Sequence, residues 1–590
     1  MAFLSQRRQK GKSMVNARQC FVAAAVAAFV LPGISAFAAD VDAKRLAEAD
    51  KNPDDWLTYH GSYKSWHYSG LDQINTSNVK NLKVAWMHAT PKSTRGLQSF
   101  PLVVDGTLYY SGSHNQVFAL DGASGELLWA YKQKLDEDLV SKQTHSPYNR
   151  GIAIGNGNIY MGTLDGKLVA IDMKTGKHKW ETPLVDSKKL TVGFVGAPLF
   201  VNGKVIIGSQ GGEWPYRGPI FGVDGDSGKK LWTFFTAGGN EGEDSDMRKT
   251  WGGDSWKTGG GGGWMAGGYD PASNTVYWGT ANPAPLYDWG GAEWKTKGAR
   301  PGDNLYTTSV LALDPDSGKL KSFHQELPHD AWDFDSAVGE FVMLEKDGKD
   351  YIVHPNKSGF VFVYDKALKV QNVWQGVKNI NFVKSIDPKT GELIGRRDMA
   401  EGKHQALCPY IAGGYSWNAG SYNPVTGMYY KVGNEWCMDL EVVKTAPILE
   451  PMAQLNIGSN FTVNKTNPDG TAAHGHVSAR DPLTGDMKWS VDYPQPPLAS
   501  LLSTKGKLVF VPDARGWLRA LDAETGKELW NHNNGQGHNG GIISYMAKGK
   551  QYVAVATGWG GLAGDDYKVL YGEPFTSMPV DQGALVVFGM

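Results

Sequence analysis

The chain of 590 residues is short of cysteine, of long apolar runs and of net charge. It has three cysteines and no C-x-x-C-H sequence, which argues against covalently attached haem. The apolar run 21–32 is shorter than the roughly 20 residues that a helix needs to span a bilayer. The formal charge of −1 offers no basic excess that would attract nucleic acid.

The amino-terminal segment has the pattern of an export signal. Five basic residues precede the apolar run, and Ala36-Phe37-Ala38 offers an A-x-A cleavage site. We expect a signal peptide over 1–38, cleaved near Ala38, and a periplasmic protein with no membrane span after cleavage. The mature chain would carry 54 basic and 60 acidic residues, so nucleic acid is not an expected partner.

Two cysteines remain in the mature chain, Cys408 and Cys437, because Cys20 leaves with the signal peptide. In an oxidising compartment an even pair favours a disulfide over a metal site. Such a bridge would close a loop of about thirty residues, which corresponds to about 3–4 kcal/mol of loop entropy if it is unstrained.

Glycine and aromatic residues are abundant, with 74 Gly, 21 Trp and 25 Tyr, as in chains of many short strands and tight turns. One segment recurs: a small apolar residue, Asp, a short turn that ends in Ser/Thr-Gly, and a polar strand often closed by Trp. In this turn the Asp can bond to the local backbone and the Gly accepts a positive φ, which is typical of a hairpin. The copies lie at 119–129, 170–180, 222–232, 312–320, 385–394, 479–489 and 520–530.

The spacing of these copies, about forty to fifty residues where they are regular, suits four-stranded propeller blades. Residues 360–365 look like a degenerate eighth copy, and the strand around Trp86 would complete the last blade. The prediction is an all-β fold: a single eight-bladed β-propeller over 39–590, with the recurring Trp side chains as plugs between blades. The insertions 233–311 and 395–478 lack a clean turn copy, and insertions of that length are commonly functional.

Asp333 and Asp335 stand two residues apart in Pro-His-Asp-Ala-Trp-Asp-Phe-Asp-Ser, 328–336. On an extended segment both side chains would point to one side and could converge on one cation or one proton. Two solvated loop carboxylates give the same pattern, so the motif alone leaves both readings open.

Several segments, together with the repeats, resemble the pyrroloquinoline-quinone (PQQ) dependent alcohol dehydrogenases over essentially the whole mature chain. GSQGGEWPYRG contains Glu213, YWGTANPAP contains Asn282 and PHDAWDFD contains Asp333. The resemblance implies that these three residues bind a metal ion, that Asp333 is also catalytic, and that the blades are of the tryptophan-docking type. Oxygen donors on separate loops suit a hard cation. Cys408 and Cys437 resemble the structural disulfide of the family.

Asp335 resembles the members of this family that use lanthanides, whereas calcium-using members typically have Ala or Ser at this position. A trivalent ion gains more from one further carboxylate than a divalent ion does. We therefore expect Asp335 as a fourth metal ligand and favour a lanthanide over calcium. An Asp that bonds to a neighbouring backbone amide is the structural alternative.

The resemblance also implies a PQQ pocket. Trp264, in GGGGGWMAGGYDP, matches the aromatic floor, and Arg150, in YNRG, matches an arginine that pairs with a cofactor carboxylate. Lys357, in HPNKSG, matches a cationic residue beside the reacting quinone oxygens, with a cofactor-binding and a catalytic role. The remaining cofactor contacts are Gln98, Gln210 and Asn418.

Two departures from the family pattern concern the same pocket. Thr144-His145 stand where many relatives have adjacent cysteines, and Gln98 stands where relatives usually have Glu. His145 either covers the cofactor, contacts substrate or is a plain polar replacement. Both differences indicate a subfamily away from the methanol oxidisers.

The implied function is the oxidation of an alcohol to an aldehyde or ketone by hydride transfer to metal-bound PQQ. Asp333 would be the general base and Lys357 would stabilise charge on the quinone oxygens. A soluble cytochrome c or another exported acceptor would take the electrons. The alternatives are a calcium enzyme specialised for sugars, polyols or bulky secondary alcohols, and a non-catalytic propeller scaffold. The sequence leaves monomer and homodimer open.

Overall fold

The structure, a computed structural model, describes residues 40–136, 147–190, 192–240, 242, 245–446, 448, 450, 451 and 455–590. The predicted signal peptide and Thr144-His145 lie outside these residues. Three α-helices occur in the described ranges: α1 (Ala43–Ala47), α2 (Ser187–Leu190) and α3 (Leu562–Tyr571). None of them is long and apolar enough to cross a bilayer. Short 3₁₀ segments are Ala49–Lys51, Val79–Asn81, Ser245–Thr250, Ser255–Thr258 and Gly291–Glu293.

The rest of the regular structure is β, which confirms the predicted all-β class. Eight sheets within the described ranges contain four or five strands. Sheet 1 comprises Leu102–Val104, Thr107–Gly112, Gln116–Asp121 and Leu127–Lys132; sheet 2 Ala153–Gly155, Asn158–Gly162, Lys167–Asp172 and His178–Pro183; sheet 3 Leu199–Val201, Lys204–Gly208, Pro219–Asp224 and Lys230–Phe235; sheet 4 Gly268–Asp270, Thr275–Gly279, Ser309–Leu313 and Leu320–Gln325. Sheet 5 comprises Val342–Lys346, Lys349–Pro355, Phe360–Tyr364 and Val370–Gln375; sheet 6 Ser421–Asn423, Met428–Glu435, His474–Arg480 and Met487–Tyr493; sheet 7 Leu502–Thr504, Leu508–Pro512, Trp517–Asp522 and Glu528–Asn533, with Tyr68–Ser69 added in parallel; sheet 8 Ile542–Ala547, Lys550–Thr557, Ala584–Gly589 and Lys83–Ala89.

Sheet 8 joins the two ends of the described chain. The strand Lys83–Ala89 pairs antiparallel with the carboxy-terminal strand Ala584–Gly589. This is the pairing predicted for the strand around Trp86.

The core lies within and between the sheets. In sheet 1 the third strand, Gln116–Asp121, is buried except at its last residue, whereas the fourth, Leu127–Lys132, alternates between exposed and half-buried side chains. An outermost strand of an antiparallel sheet is expected to have one solvent-exposed face, as this fourth strand does.

The recurring turn joins the third and fourth strands, as the sheet 1 copy illustrates. Asp121 Oδ1 accepts hydrogen bonds from the backbone amides of Ala123 and Ser124, at 3.0 and 2.8 Å. Gly125 follows with a φ of +76°, and a Cβ at this position would lie 2.6 Å from the Trp86 ring. Trp86 Nε1 donates to Gly122 O at 3.2 Å. The turn of one sheet is therefore the docking surface for the tryptophan of the preceding sheet.

The same contact recurs between successive sheets, which confirms the prediction that these tryptophans act as plugs. Each ring covers the turn glycine of the next sheet and donates to a carbonyl of that turn. The pairs are Trp129 with Gly176, Trp180 with Gly228, Trp232 with Gly318, Trp374 with Gly485, and Trp489 with Gly526.

Two neighbouring pairs of sheets are joined differently. Tyr277 Oη of sheet 4 donates to Lys366 O, in the turn of sheet 5, at 2.9 Å. Trp530 of sheet 7 packs edge-on against Phe588 of sheet 8, with ring centroids 5.5 Å apart. Each of the eight sheets thus contacts the next, and sheet 8 contacts sheet 1.

One turn copy was wrongly expected to mark a blade. Residues 385–394 do form a hairpin, Ser385–Ile386 with Leu393–Ile394, but these strands make a two-stranded sheet of their own. Sheet 8 instead carries no copy, because its third and fourth strands, Ala584–Gly589 and Lys83–Ala89, are far apart in the chain and no turn connects them. The motif describes a local hairpin and contains no information about which sheet the hairpin joins. The insertion 395–478 supplies strands of sheet 6 and the three-stranded sheet His404–Leu407, Met438–Val442 and Ser459–Val463.

Candidate active site

The alternation of strand direction brings the candidate site residues to one end of the sheets. A residue just before the first strand of a sheet and a residue between its second and third strands lie at the same end of the strands. The Asp turns lie at the opposite end. Gln98, Arg150, Trp264 and Asn418 precede first strands. Gln210, Glu213, Asn282 and Lys357 lie between second and third strands, and Asp333 and Asp335 lie between sheets 4 and 5.

A cavity of about 170 Å³ opens at the end of the strands where the candidate residues lie. Nine of the ten predicted site residues line it: Gln98, Arg150, Gln210, Glu213, Trp264, Asp333, Asp335, Lys357 and Asn418. Asn282 lies behind the wall, where its backbone N–H is 3.4 Å from Asp335 Oδ1. Its Oδ1 lies so close to Gly212 that a Cβ there would collide with it.

The loop 328–336 is shaped by Asp330, which is fully buried. Its carboxylate accepts hydrogen bonds from the backbone amides of Trp332 and Phe334, both at 2.9 Å. Between these anchors Asp333 has a φ of +70°, a left-handed conformation that is costly for a residue with a Cβ. The segment is therefore not extended, and the geometric reason given for the convergence of Asp333 and Asp335 was wrong.

Asp333 and Asp335 nevertheless converge on one cation, the ammonium group of Lys357. Lys357 Nζ lies 2.9 Å from Asp333 Oδ2 and 3.6 Å from Asp335 Oδ1. Burial raises the pKa of Asp333 well above its usual range; Lys357 opposes this shift, and the charges of Asp335 and Glu213 add to it. Burial on its own would lower the pKa of Lys357, but Asp333 and Asp335 outweigh it and raise this pKa.

These carboxylates do not already form a metal site. Across the described ranges, no three His, Cys, Asp or Glu side chains stand in an arrangement that could hold a metal ion. Lys357 contacts oxygen atoms that a metal ion would take. The donor set of three carboxylates and one amide is nevertheless the type that hard cations prefer.

The other part of the cavity is aromatic and has unused hydrogen-bonding capacity. The Arg150 guanidinium lies 4.5 Å from the ring centroid of Trp417 and 5.1 Å from that of Trp264. Five buried polar atoms of predicted cofactor residues have no hydrogen-bond partner among the described residues: Arg150 Nε, Gln98 Oε1, Gln210 Oε1, Gln210 Nε2 and Asn418 Nδ2. Buried polar groups are normally paired, so these atoms fit a planar, polar ligand such as PQQ.

Trp264 makes a contact that the sequence did not predict. Its Nε1 donates to Asp335 Oδ2 at 2.7 Å, so the expected stacking residue also orients a predicted metal ligand. Sequence reasoning also missed Trp417, although it precedes Asn418 in SWNAG, and the apolar wall of Ile411, Leu498 and Ala563. The wall has no local signal, because its members come from three separate segments.

Comparisons with known proteins agree with this geometry. The family model "Glucose/ethanol/alcohol dehydrogenase, beta-propeller domain", named PQQ, matches residues 56–368 and 471–553. Quinoprotein alcohol dehydrogenase PedH of Pseudomonas putida KT2440 is 34% identical over 571 residues, covering 92% of this chain and 92% of the relative. The structure of quinohemoprotein alcohol dehydrogenase ADHIIG from Pseudomonas putida HK5 superposes with a TM-score of 0.85 at 31% identity, covering 94% of this chain and 82% of that one. A europium-containing methanol dehydrogenase superposes with a TM-score of 0.83 at 30% identity, covering 93% and 100%. The chain thus has a PQQ-type β-propeller fold and belongs to the family of PQQ-dependent alcohol dehydrogenases.

Proposed function

We propose that the chain oxidises an alcohol to an aldehyde or ketone, with PQQ and one metal ion bound in the cavity of about 170 Å³. The observation that carries the proposal is the meeting of Asp333, Asp335 and Lys357 beside an aromatic pocket with unpaired buried polar atoms. A propeller scaffold without catalysis would need none of these groups.

The cofactors would be held by different parts of the cavity. PQQ would stack on Trp264 and be bound by Gln98, Arg150, Gln210, Lys357 and Asn418, while Glu213, Asn282, Asp333 and Asp335 would hold the metal ion. When bound, PQQ supplies a quinone carbonyl that accepts a hydride, and the metal ion polarises that carbonyl as a Lewis acid.

The two catalytic side chains have separate tasks. Asp333 accepts the proton of the substrate hydroxyl as a general base. Lys357 remains protonated, because Asp333 and Asp335 raise its pKa, and keeps a positive charge where negative charge develops. Asp333 is buried and 15% of the Lys357 side chain is exposed, so little water reaches the pair and the charge interactions are strengthened.

Charge supports a lanthanide rather than calcium as the metal ion. Three carboxylates, Arg150 and Lys357 leave the cavity wall with a formal charge of −1, and PQQ would add its own carboxylates. A trivalent ion offsets this excess better than a divalent one. The chain is similar to a europium-containing methanol dehydrogenase and, to a similar degree, to a quinohemoprotein alcohol dehydrogenase, so the choice of metal rests on charge and on Asp335.

We further propose that residues 39–590 form one closed ring of eight blades, since successive contacts run from sheet 1 to sheet 8 and from sheet 8 back to sheet 1. The protein would be exported to the periplasm after cleavage near Ala38. A soluble cytochrome c or a similar exported acceptor would reoxidise the cofactor. A homodimer stays a prediction.

The metal choice is tested by reconstitution with PQQ and either Ca²⁺ or La³⁺, followed by dye-linked alcohol oxidation. We expect higher activity with La³⁺ than with Ca²⁺, and loss of the La³⁺-dependent activity in Asp335→Ala. Equal or higher activity with Ca²⁺, together with an active Asp335→Ala variant, would contradict the lanthanide proposal and leave the enzyme class standing.

A further inference from the structure

Glu326 is a fully buried carboxylate directly after the strand Leu320–Gln325, and it does not line the cavity. Its Oε2 accepts hydrogen bonds from Ser336 Oγ at 2.5 Å and from Asn356 Nδ2 at 2.7 Å. Its Oε1 accepts one from Tyr364 Oη at 2.8 Å. A buried carboxylate is tolerated when several donors satisfy it, so these three bonds form one unit.

Two of the three donors are the sequence neighbours of site residues. Ser336 follows Asp335, and Asn356 precedes Lys357. Asn356 Nδ2 also lies 3.3 Å from Asp335 O, and the backbone N–H of Lys357 donates to the same carbonyl at 3.3 Å. Glu326 is therefore hydrogen-bonded to both the loop that contains Asp335 and the loop that contains Lys357.

The third donor ties this unit to sheet 5. Tyr364 ends the strand Phe360–Tyr364, and burial together with the Glu326 charge raises the pKa of Tyr364 well above its usual range. The hydroxyl therefore stays a donor. On the neighbouring strand, the two ring nitrogens of His354 contact Ser336 O at 3.0 Å and Glu340 O at 2.7 Å. All of these side chains are fully buried or nearly so, which gives the two loops a rigid support.

We infer that Glu326 is a positioning residue that holds the loop of Asp335 against the loop of Lys357 and so keeps the Asp335 carboxylate at the proposed metal site. This inference rests on the proposed metal site. In Glu326→Gln the shape is kept, but one acceptor oxygen becomes an NH₂ group that faces a donor. Loss of such support behind metal ligands typically weakens metal affinity by about 10–100-fold.

The test is a titration of the full chain, stripped of metal by a chelator, with Tb³⁺. Emission excited through tryptophan reports the site, because Trp264 Nε1 lies 2.7 Å from Asp335 Oδ2. We expect Glu326→Gln to bind Tb³⁺ about 10–100-fold more weakly than the wild type while its circular dichroism is unchanged.

Asp55→Asn is the matched control. Asp55 is also a buried carboxylate with three donors, namely Arg45, Asn52 and the backbone amide of Asp105, and it does not line the cavity. This variant should bind Tb³⁺ like the wild type. Weaker Tb³⁺ binding by Asp55→Asn would show that the loss of any buried carboxylate has the same effect, which would overturn a specific role for Glu326.

The outcomes separate the inference from the function on which it rests. Wild-type affinity in Glu326→Gln overturns the positioning role and leaves the metal site intact. No Tb³⁺ binding by the wild type overturns both. Should Glu326→Gln fail to fold, Ser336→Ala removes the 2.5 Å bond to Glu326 and the 3.3 Å bond from Asn356 Nδ2, and leaves the other two donors of Glu326 in place. This variant must show a smaller loss in the same direction, and unchanged affinity would refute the role.

Discussion

Asp333 combines the proposed base function with a left-handed backbone, and substitution can separate the two properties. Asn adopts a positive φ at least as readily as Asp, so Asp333→Asn removes the carboxylate and leaves the backbone conformation in place. Ala removes the carboxylate and is also strained at a φ of +70°, which lowers the stability of the fold by about 1–2 kcal/mol.

The two variants should therefore agree in activity and differ in stability. Loss of a general base lowers kcat by about 10²–10⁴-fold in both variants, measured by dye-linked alcohol oxidation at saturating PQQ and metal. Chemical denaturation should show Asp333→Ala about 1–2 kcal/mol less stable than Asp333→Asn. Activity of Asp333→Asn within a few-fold of the wild type would refute the assignment of the base. Equal stability of Asn and Ala at this position would refute the account of the strained loop.

Two further predictions concern the pocket and the blades. Arg150→Lys loses the planar group that lies over Trp417 and Trp264, and should bind PQQ about 1.5–3 kcal/mol more weakly in a tryptophan-quenching titration. The control is Arg217→Lys, which changes an arginine stacked on Trp256 away from the cavity and should bind PQQ normally. Equal losses of PQQ affinity in both variants would contradict the role of Arg150. Trp489→Ala removes the ring over Gly526 and its bond to Ala523 O, and should lower the free energy of unfolding by about 3–5 kcal/mol in denaturant titration. Met487→Ala, on the exposed side of the same strand, should change this free energy little. A similar loss in the two variants would argue against the docking role of the tryptophan.

The features that could be predicted from sequence are those with a local cause. The Asp turn contains its own hydrogen-bond acceptor and its own glycine, so the hairpin at Asp121 and Gly125 can be read from five residues. The Cys408–Cys437 disulfide was also predicted, because few alternatives existed for two cysteines, and the structure bonds this pair.

The features that could not be predicted depend on contacts between distant segments. The φ of Asp333 accompanies the anchoring of its loop by Asp330, and Asp330 is itself held by Thr308 Oγ1 at 3.1 Å and by Arg300 at 2.5 Å, two residues outside the motif. The hairpin 385–394 has the same sequence pattern as the turns of the four-stranded sheets, but within the described residues its two strands pair only with each other. Ser336, Asn356 and Tyr364 meet at Glu326 only because sheets 4 and 5 pack together, so the support of the site has no signature in the sequence.

The proposed function requires that the cavity binds PQQ together with a metal ion and that the loaded protein oxidises alcohols. The most direct measurement is dye-linked oxidation of primary, secondary and polyhydric alcohols by the purified full chain, before and after loading with PQQ and La³⁺ or Ca²⁺. We expect quinone to be retained after gel filtration and oxidation to require both PQQ and a metal ion. A chain that retains no quinone and oxidises no alcohol with either metal would overturn the proposed function.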